Sequence, residues 1–425
     1  MNLFKVAIST VGCRANQADS GYLASHLDPE RVEVVDRFDA ADLVVINTCC
    51  VTAEAERDCR KRARRALKAS PRARVVLAGC AVTAIDGFGK EISPRIEMRS
   101  GTAATPEALA GWINSLAGGA PDAVPDGDLS AALLGRTRGL LKIQTGCSHF
   151  CAYCIVPKAR GKERSMPREA VLREVARFAD AGVREVVLTG VQIGAWGKDL
   201  GGASLATLLL DAADRMGPGR IRLSSIEPWS VDEALIDAMA SHPRICAHLH
   251  LPMQSGDDRI LAAMRRGYDA ASYLKVVERV RRRMPDAAIG TDVILGFPGE
   301  DDAAFRNTLQ TLSVLEPAYL HAFTYSPRPG TRAALAENRP EKQTAQERTR
   351  IVRAQGEGFA EAARNTHLGG IREVIVEEAL PEGFSGLTDT FVRVRFRAGD
   401  AAPGTLIDMR FDTNAEGVLW GTIVE

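Results

Sequence analysis

The chain predicts an α/β protein in three parts: an N-terminal doubly wound parallel sheet, a central partial (βα)6 barrel and a small C-terminal β-barrel. Three observations lead there. Short β-branched runs alternate with helical periodicity up to about residue 115. The same alternation resumes six times between 137 and 365. The chain then switches to short strands broken by Gly, Pro and Asp turns.

In the first part (1–115), "FKVAIST" (4–10), "DLVVINT" (42–48) and "RVVLAG" (74–79) read as buried parallel strands, with helical stretches such as "TAEAERDCRKRARRALKAS" between them. Residues 116–136 are rich in Ala, Gly, Pro and Asp and read as a linker. In the second part (137–365), "LLKIQTG", "EVVLTG", "RIRLSSIEP", "CAHLHLPMQSG", "IGTDVILGFPG" and "YLHAFTYSP" are the strand candidates. An open barrel of parallel strands places chemistry at their C-terminal ends, here Cys147, Gly190, Glu227, Gln254, Pro298 and Ser326. In the third part (366–425), "REVIVEEA", "FVRVRF", "TLIDMRF" and "GVLWGTIV" predict a small all-β barrel.

Lys and Arg balance Asp and Glu at 54 each, so nucleic-acid contact rests on local basic patches and not on a global field. The N-terminus lacks the apolar core and cleavage site of a signal peptide, and no run is long and apolar enough to span a membrane; the expectation is a cytoplasmic protein. Nine cysteines, an odd number spread over a long chain, do not make a disulfide framework.

Three of them fall within eight residues, as Cys147-x3-Cys151-x2-Cys154. Three thiolates under-fill a structural zinc site unless His149 completes it. On a [4Fe–4S] cluster, whose usual shell is four Cys, they leave one iron open to a ligand. Cys13, Cys49 and Cys80 lie far apart in sequence, yet each directly follows a predicted strand. Strands of a parallel sheet end on one edge, so these thiols are expected to converge there. Cys50 competes with Cys49, and Cys59 and Cys246 read as structural or free thiols.

"LKIQTGCSHFCAYCIVPKARG" (141–161) resembles the radical S-adenosylmethionine (AdoMet) enzymes. With "VGCRANQADS", "NTCCVT" and "LAGC" ahead of it, the whole chain resembles the radical AdoMet methylthiotransferases, and its last part their TRAM domain, an RNA-binding module. "LTGVQIG", "SSIEP", "HLHLPMQSGDDRIL", "DVILGFPGE" and "FTYSPRPGT" extend the match. Ser165-Met166, where the family often has Ser-Arg, and Gln192 depart from it.

The resemblance implies two [4Fe–4S] clusters, one on Cys147, Cys151 and Cys154 and an auxiliary one on Cys13, Cys49 and Cys80. It also implies AdoMet as methyl source and radical source, and replacement of an unactivated C–H hydrogen by a methylthio group. AdoMet contacts carried over are Tyr153, Gly190, Ser225, Glu227, Gln254 and Asp292. Implied partners are a tRNA anticodon stem-loop, an electron donor of flavodoxin or ferredoxin type, and a sulfur source. The quoted motifs look most like the branch acting on N6-threonylcarbamoyladenosine at position 37. The alternatives are N6-isopentenyladenosine-37 and a ribosomal-protein aspartate. For RNA contact, the basic helix offers Arg57, Arg60, Lys61, Arg64 and Arg65. Arg393, Arg395 and Arg397, at period two, share one face of a strand. A merely solvated helix face or sheet edge is the competing reading of each group.

Overall fold

The computed structural model describes residues 3–119, 133–397 and 401–424. The centre of the expected linker, 120–132, lies outside them.

The first sheet contains β1 (Phe4–Thr10), β2 (Val32–Val34), β3 (Leu43–Thr48), β4 (Arg74–Gly79) and β5 (Ile96–Met98), in the spatial order β2-β1-β3-β4-β5, all parallel. β2 and β5 add two edge strands to the three expected. Helices cover both faces. Leu23, Leu109 and Ile113, from helices Arg14–Ser25 and Pro106–Leu116, pack on one. Cys59, Ala63 and Ala66, from helix Ala53–Ala69, pack on the other. The central strands β3 and β4 are therefore apolar on both sides, which is why they read as continuous hydrophobic runs.

The second part contains β6 (Gly139–Thr145), the two-residue β7 (Arg164–Ser165), β8 (Glu185–Gly190), β9 (Arg220–Leu223), β10 (His248–His250), β11 (Ala288–Leu295) and β12 (Tyr319–Thr324). β6, β8 and β9 form one parallel run and β10, β11 and β12 another. Single bridges, Ile221 to Ile245 and Ser225 to His250, join β9 to the β10 segment. The result is six parallel strands, each followed by helix, around one large apolar core.

The third part is a closed five-stranded barrel of β13 (Ile371–Leu380), β14 (Gly383–Thr388), β15 (Arg393–Phe396), β16 (Leu406–Ala415) and β17 (Val418–Ile423), in the order β13-β14-β15-β17-β16. β14 is the strand the sequence pattern did not announce. No helix among the described residues is long and apolar enough to cross a membrane.

A buried ionic hub fixes the small barrel to the central one. Arg220 and Arg222, at the start of β9, share the fully buried Glu185 at 2.8 and 2.7 Å. Their remaining N–H groups donate to the Leu387, Thr388 and Asp389 carbonyls of the small barrel. Phe391 from the same loop stacks on His248 at 4.7 Å.

Candidate active site

Cys13, Cys49 and Cys80 follow β1, β3 and β4, three adjacent strands of one parallel sheet, so their loops open on the same edge. Gly12, at φ +107°, carries the Cys13 loop against Cys49: a Cβ at Gly12 would stand 2.6 Å from Cys49 Cβ. Buried Asn16 ties the edge together. Its amide donates to the Val11 and Thr48 carbonyls at 2.8 and 2.9 Å. Cys49 lies within electrostatic reach of both Cys13 and Cys80, and burial pushes its thiol up to about 12. The Cys50 and Cys80 thiols interact closely enough to shift each other's titration, so this neighbour also faces the same space. Cys59 sits beneath, its sulfur accepting from Cys49 N at 3.4 Å, and Cys246 is buried near Arg222, away from the strand-end cysteines.

The second triad hangs from β6. Gly146, at φ +77°, turns the chain so tightly that a Cβ would fall 1.8 Å from the Lys162 carbonyl oxygen. Cys147 N donates to Gly161 O at 3.0 Å and Cys154 N to Cys151 O at 3.0 Å, while Ala152 is anchored at both ends, to Met264 O and Ala333 N. The three sulfurs are thus presented by a loop clamped on every side. Burial pushes Cys154 up to about 12, with the neighbouring Cys151 and Cys147 adding to it.

Arginines join these sets to their surroundings. Arg160, six residues after Cys154, donates from Nε to Cys80 Sγ at 3.3 Å and from Nη2 to Asn16 and Asp19 at 2.6 and 2.7 Å. The N-terminal thiols therefore face the mouth of the barrel. Arg328 with Glu56, and Ser326 Oγ with Ala53 N, close the same seam. Arg266 is buried, pairs with both oxygens of Glu227, and donates to Cys151 Sγ at 3.7 Å. Its guanidinium lies over Trp229 at 4.7 Å, and His149 stacks on the same Trp229 at 4.4 Å.

The expected AdoMet contacts distribute around this mouth. The Tyr153 ring is edge-on to Phe297 at 6.4 Å. Gly190 packs against Gln144: a Cβ there would meet three Gln144 atoms at 3.1 Å. Buried Gln144 in turn accepts from Val191 and Gln192 N–H and donates to the Thr145 and Gly146 carbonyls. Ser225 is exposed. Glu227 is engaged by Arg266 and is not a free carboxylate. Gln254 adopts φ +67°, and its backbone bridges to β11 through Asp292 O and Ile294 N. Asp292 Oδ1 lies 3.0 Å from both His250 Nε2 and His321 Nδ1; those hydrogen bonds hold its carboxyl well below the usual range against its burial.

On the basic helix, Arg57, Lys61, Arg64 and Arg65 are exposed. Arg60 differs. It bridges Glu56 and Glu91 at 3.3 and 2.8 Å and stacks over Phe88, which commits its charge within the domain. Arg393, Arg395 and Arg397 are exposed on one face of the small barrel, alternating with buried Val394 and Phe396. Arg397 lies over Trp420 at 5.5 Å.

Residues 141–312 match the radical SAM superfamily, and residues 5–97 match the Uncharacterized protein family UPF0004. The threonylcarbamoyladenosine tRNA methylthiotransferase MtaB of Thermotoga maritima is 33% identical over 399 residues, covering 92% of this chain and 91% of its own. The chain belongs to the radical AdoMet methylthiotransferase family. The tRNA-2-methylthio-N(6)-dimethylallyladenosine synthase of Wolinella succinogenes is 32% identical over 430 residues, 98% of this chain and 99% of its own. Among solved structures, the radical S-adenosylmethionine methyltransferase TsrM of Kitasatospora setae shares the fold, with TM-score 0.59 at 15% identity over 78% of this chain and 75% of its own. As a member of this family, the protein is a methylthiotransferase that uses [4Fe–4S] clusters and AdoMet.

Proposed function

We propose that the protein methylthiolates C2 of N6-threonylcarbamoyladenosine at position 37 of tRNA, with one cluster on Cys147, Cys151 and Cys154 and an auxiliary cluster on Cys13, Cys49 and Cys80. The single observation that supports the two-centre arrangement most directly is the Arg160 to Cys80 contact at 3.3 Å, which ties the loop after one triad to the other triad. Each donor set suits its group: three thiols on a clamped, glycine-turned loop, and three at adjacent strand ends. When bound, the clusters would relay the electron and hold the sulfur to be inserted, and AdoMet would supply the methyl group and the radical.

What the chain's own residues do is bind, orient and exclude. Arg266 fixes Glu227 toward the triad and donates to Cys151; hydrogen bonds to sulfur and burial set a cluster's potential. Gln144 packs into the space that Gly190 leaves free of a side chain and from there holds the backbone at Val191 and Gln192. Tyr153, Gly190, Ser225, Glu227, Gln254 and Asp292 line the space for AdoMet, with Glu227 acting through its pair with Arg266. The exposed arginines of the small barrel, with Arg57, Lys61, Arg64 and Arg65 of helix Ala53–Ala69 and without Arg60, meet the phosphates of the anticodon stem-loop. A flavodoxin- or ferredoxin-type protein supplies electrons, a separate donor supplies sulfur, and the enzyme works in the cytoplasm.

The dimethylallyl-substituted adenosine is the second reading, because relatives named for it match at similar identity. Mass spectrometry of tRNA nucleosides from cells lacking the gene tests both. Loss of the methylthio group from the threonylcarbamoyl nucleoside supports the first reading, and loss from the dimethylallyl nucleoside supports the second.

A further inference from the structure

We propose that Arg14 reads the N6 substituent of the substrate adenosine by pairing with a carboxylate on it; this rests on the reading that the threonylcarbamoyl nucleoside is the substrate. Arg14 follows Cys13 and opens helix Arg14–Ser25, which lies beside β6 and β8. Its side chain reaches the barrel interior. The guanidinium stands 5.3 Å over the ring of Phe391, and that ring meets Tyr319 at 5.2 Å. The Tyr319 hydroxyl shares a hydrogen bond with His250 Nδ1 at 3.0 Å, on the same wall as Asp292.

The charges around it are accounted for. Arg138 and Arg222 share Glu185, and Asp292 is held by His250 and His321. Arg14 is half-buried, yet among the described residues its guanidinium has neither a hydrogen bond nor an ion pair, only the face of Phe391. An arginine does not discharge itself by losing a proton. Glu185 acts on Arg14 only at a distance and is taken up by Arg220 and Arg222. A half-buried cation with five donors and no anion paired to it is a built receptor for a planar carboxylate, which it grips through two parallel hydrogen bonds.

The two candidate substrates differ in this chemistry. A threonylcarbamoyl group carries one carboxylate, ionised at neutral pH. A dimethylallyl group carries no polar atom and would leave the guanidinium desolvated and unpaired, so the same residue favours one nucleoside and rejects the other. Arg14 is also one residue from Cys13, so the residue that reads the base sits on the loop that presents the auxiliary thiol.

The test uses full-length, cluster-reconstituted protein and fluorescence anisotropy with anticodon stem-loops. Position 37 carries threonylcarbamoyladenosine, its carboxyl methyl ester, dimethylallyladenosine or plain adenosine. Wild type is expected to bind the free acid roughly 10- to 100-fold more tightly than the ester. Arg14→Gln should bind acid and ester alike, with iron content and affinity for the plain adenosine loop as in wild type, and Arg14→Lys should restore most of the preference. If Arg14→Gln keeps the full preference for the acid while wild type methylthiolates the threonylcarbamoyl loop, the role of Arg14 is overturned and the substrate reading stands. If wild type methylthiolates only the dimethylallyl loop, the substrate reading fails, and this proposal with it.

Discussion

Glu185→Gln is the substitution whose consequence follows most directly from the packing. Glu185 is fully buried and is the shared counter-ion of Arg220 and Arg222, themselves 2% and 0% exposed, with Arg138 at 3.4 Å as a third neighbour. A glutamine keeps the volume and removes the charge. It leaves two guanidinium groups buried, and its own NH2 turned toward donors. Breaking a buried ion pair by neutralising one partner costs about 3–5 kcal/mol. For a folded unit of this size that corresponds to a fall in melting temperature on the order of 5–10 °C. The arginines are also the donors that hold the Leu387, Thr388 and Asp389 carbonyls, so the small barrel should loosen first. Thermal unfolding followed by fluorescence, with limited proteolysis to locate the released segment, reads both effects. Adding Arg222→Met to Glu185→Gln removes one orphaned cation and should recover part of the loss. The pH dependence has a fixed sign. Its arginine partners hold the Glu185 carboxyl, despite burial, well below its usual 4.5. Its stabilisation is therefore complete above that value and is lost as pH falls toward the depressed one, so wild type and variant should converge only in acid. A melting temperature within about 2 °C of wild type at neutral pH would refute the reasoning.

The iron content should be about eight per chain in the anaerobically reconstituted protein and about four after Cys147, Cys151 and Cys154 are all changed to Ala; native zinc in place of iron would sink the assignment. Cys13→Ala should abolish methylthiolation yet still release 5′-deoxyadenosine from AdoMet, and Cys49→Ala should lose auxiliary iron that Cys50→Ala retains. Gly146→Ala should fail to hold iron at the barrel triad, because its Cβ would lie 1.8 Å from the Lys162 carbonyl; iron analysis showing a full complement would contradict the clamped loop. Reversing Arg393, Arg395 and Arg397 to Glu should weaken tRNA binding strongly at low salt and flatten its salt dependence, measured by anisotropy, with iron unchanged. This is a cleaner perturbation than deleting the small barrel, which would strip Arg220 and Arg222 of the carbonyls they serve.

The sequence by itself determined the parts that rest on local pattern. β1, β3 and β4 are legible because both of their faces are buried, and the cysteines at their ends are legible as a group because parallel strands end on one edge. The barrel triad is legible because its three thiols lie within eight residues. The short edge strands β2 and β5, with three residues each, offer too little pattern. β14, "GFSGLT", carries two glycines and becomes a strand only by pairing with β13 and β15. Only the tertiary structure decided what the arginines do. Arg160, Arg266, Arg220, Arg222 and Arg14 look alike in sequence, because a guanidinium's role is set by whichever acceptors the fold brings within about 3 Å of it. Those acceptors come from elements distant in the chain: Cys80 for Arg160, Glu227 for Arg266, Glu185 and the small-barrel carbonyls for Arg220 and Arg222. The same long-range packing turned Arg60 inward to Glu56 and Glu91 and, among the described residues, gave the Arg14 guanidinium no hydrogen-bond acceptor or ion-pair partner, only the face of Phe391.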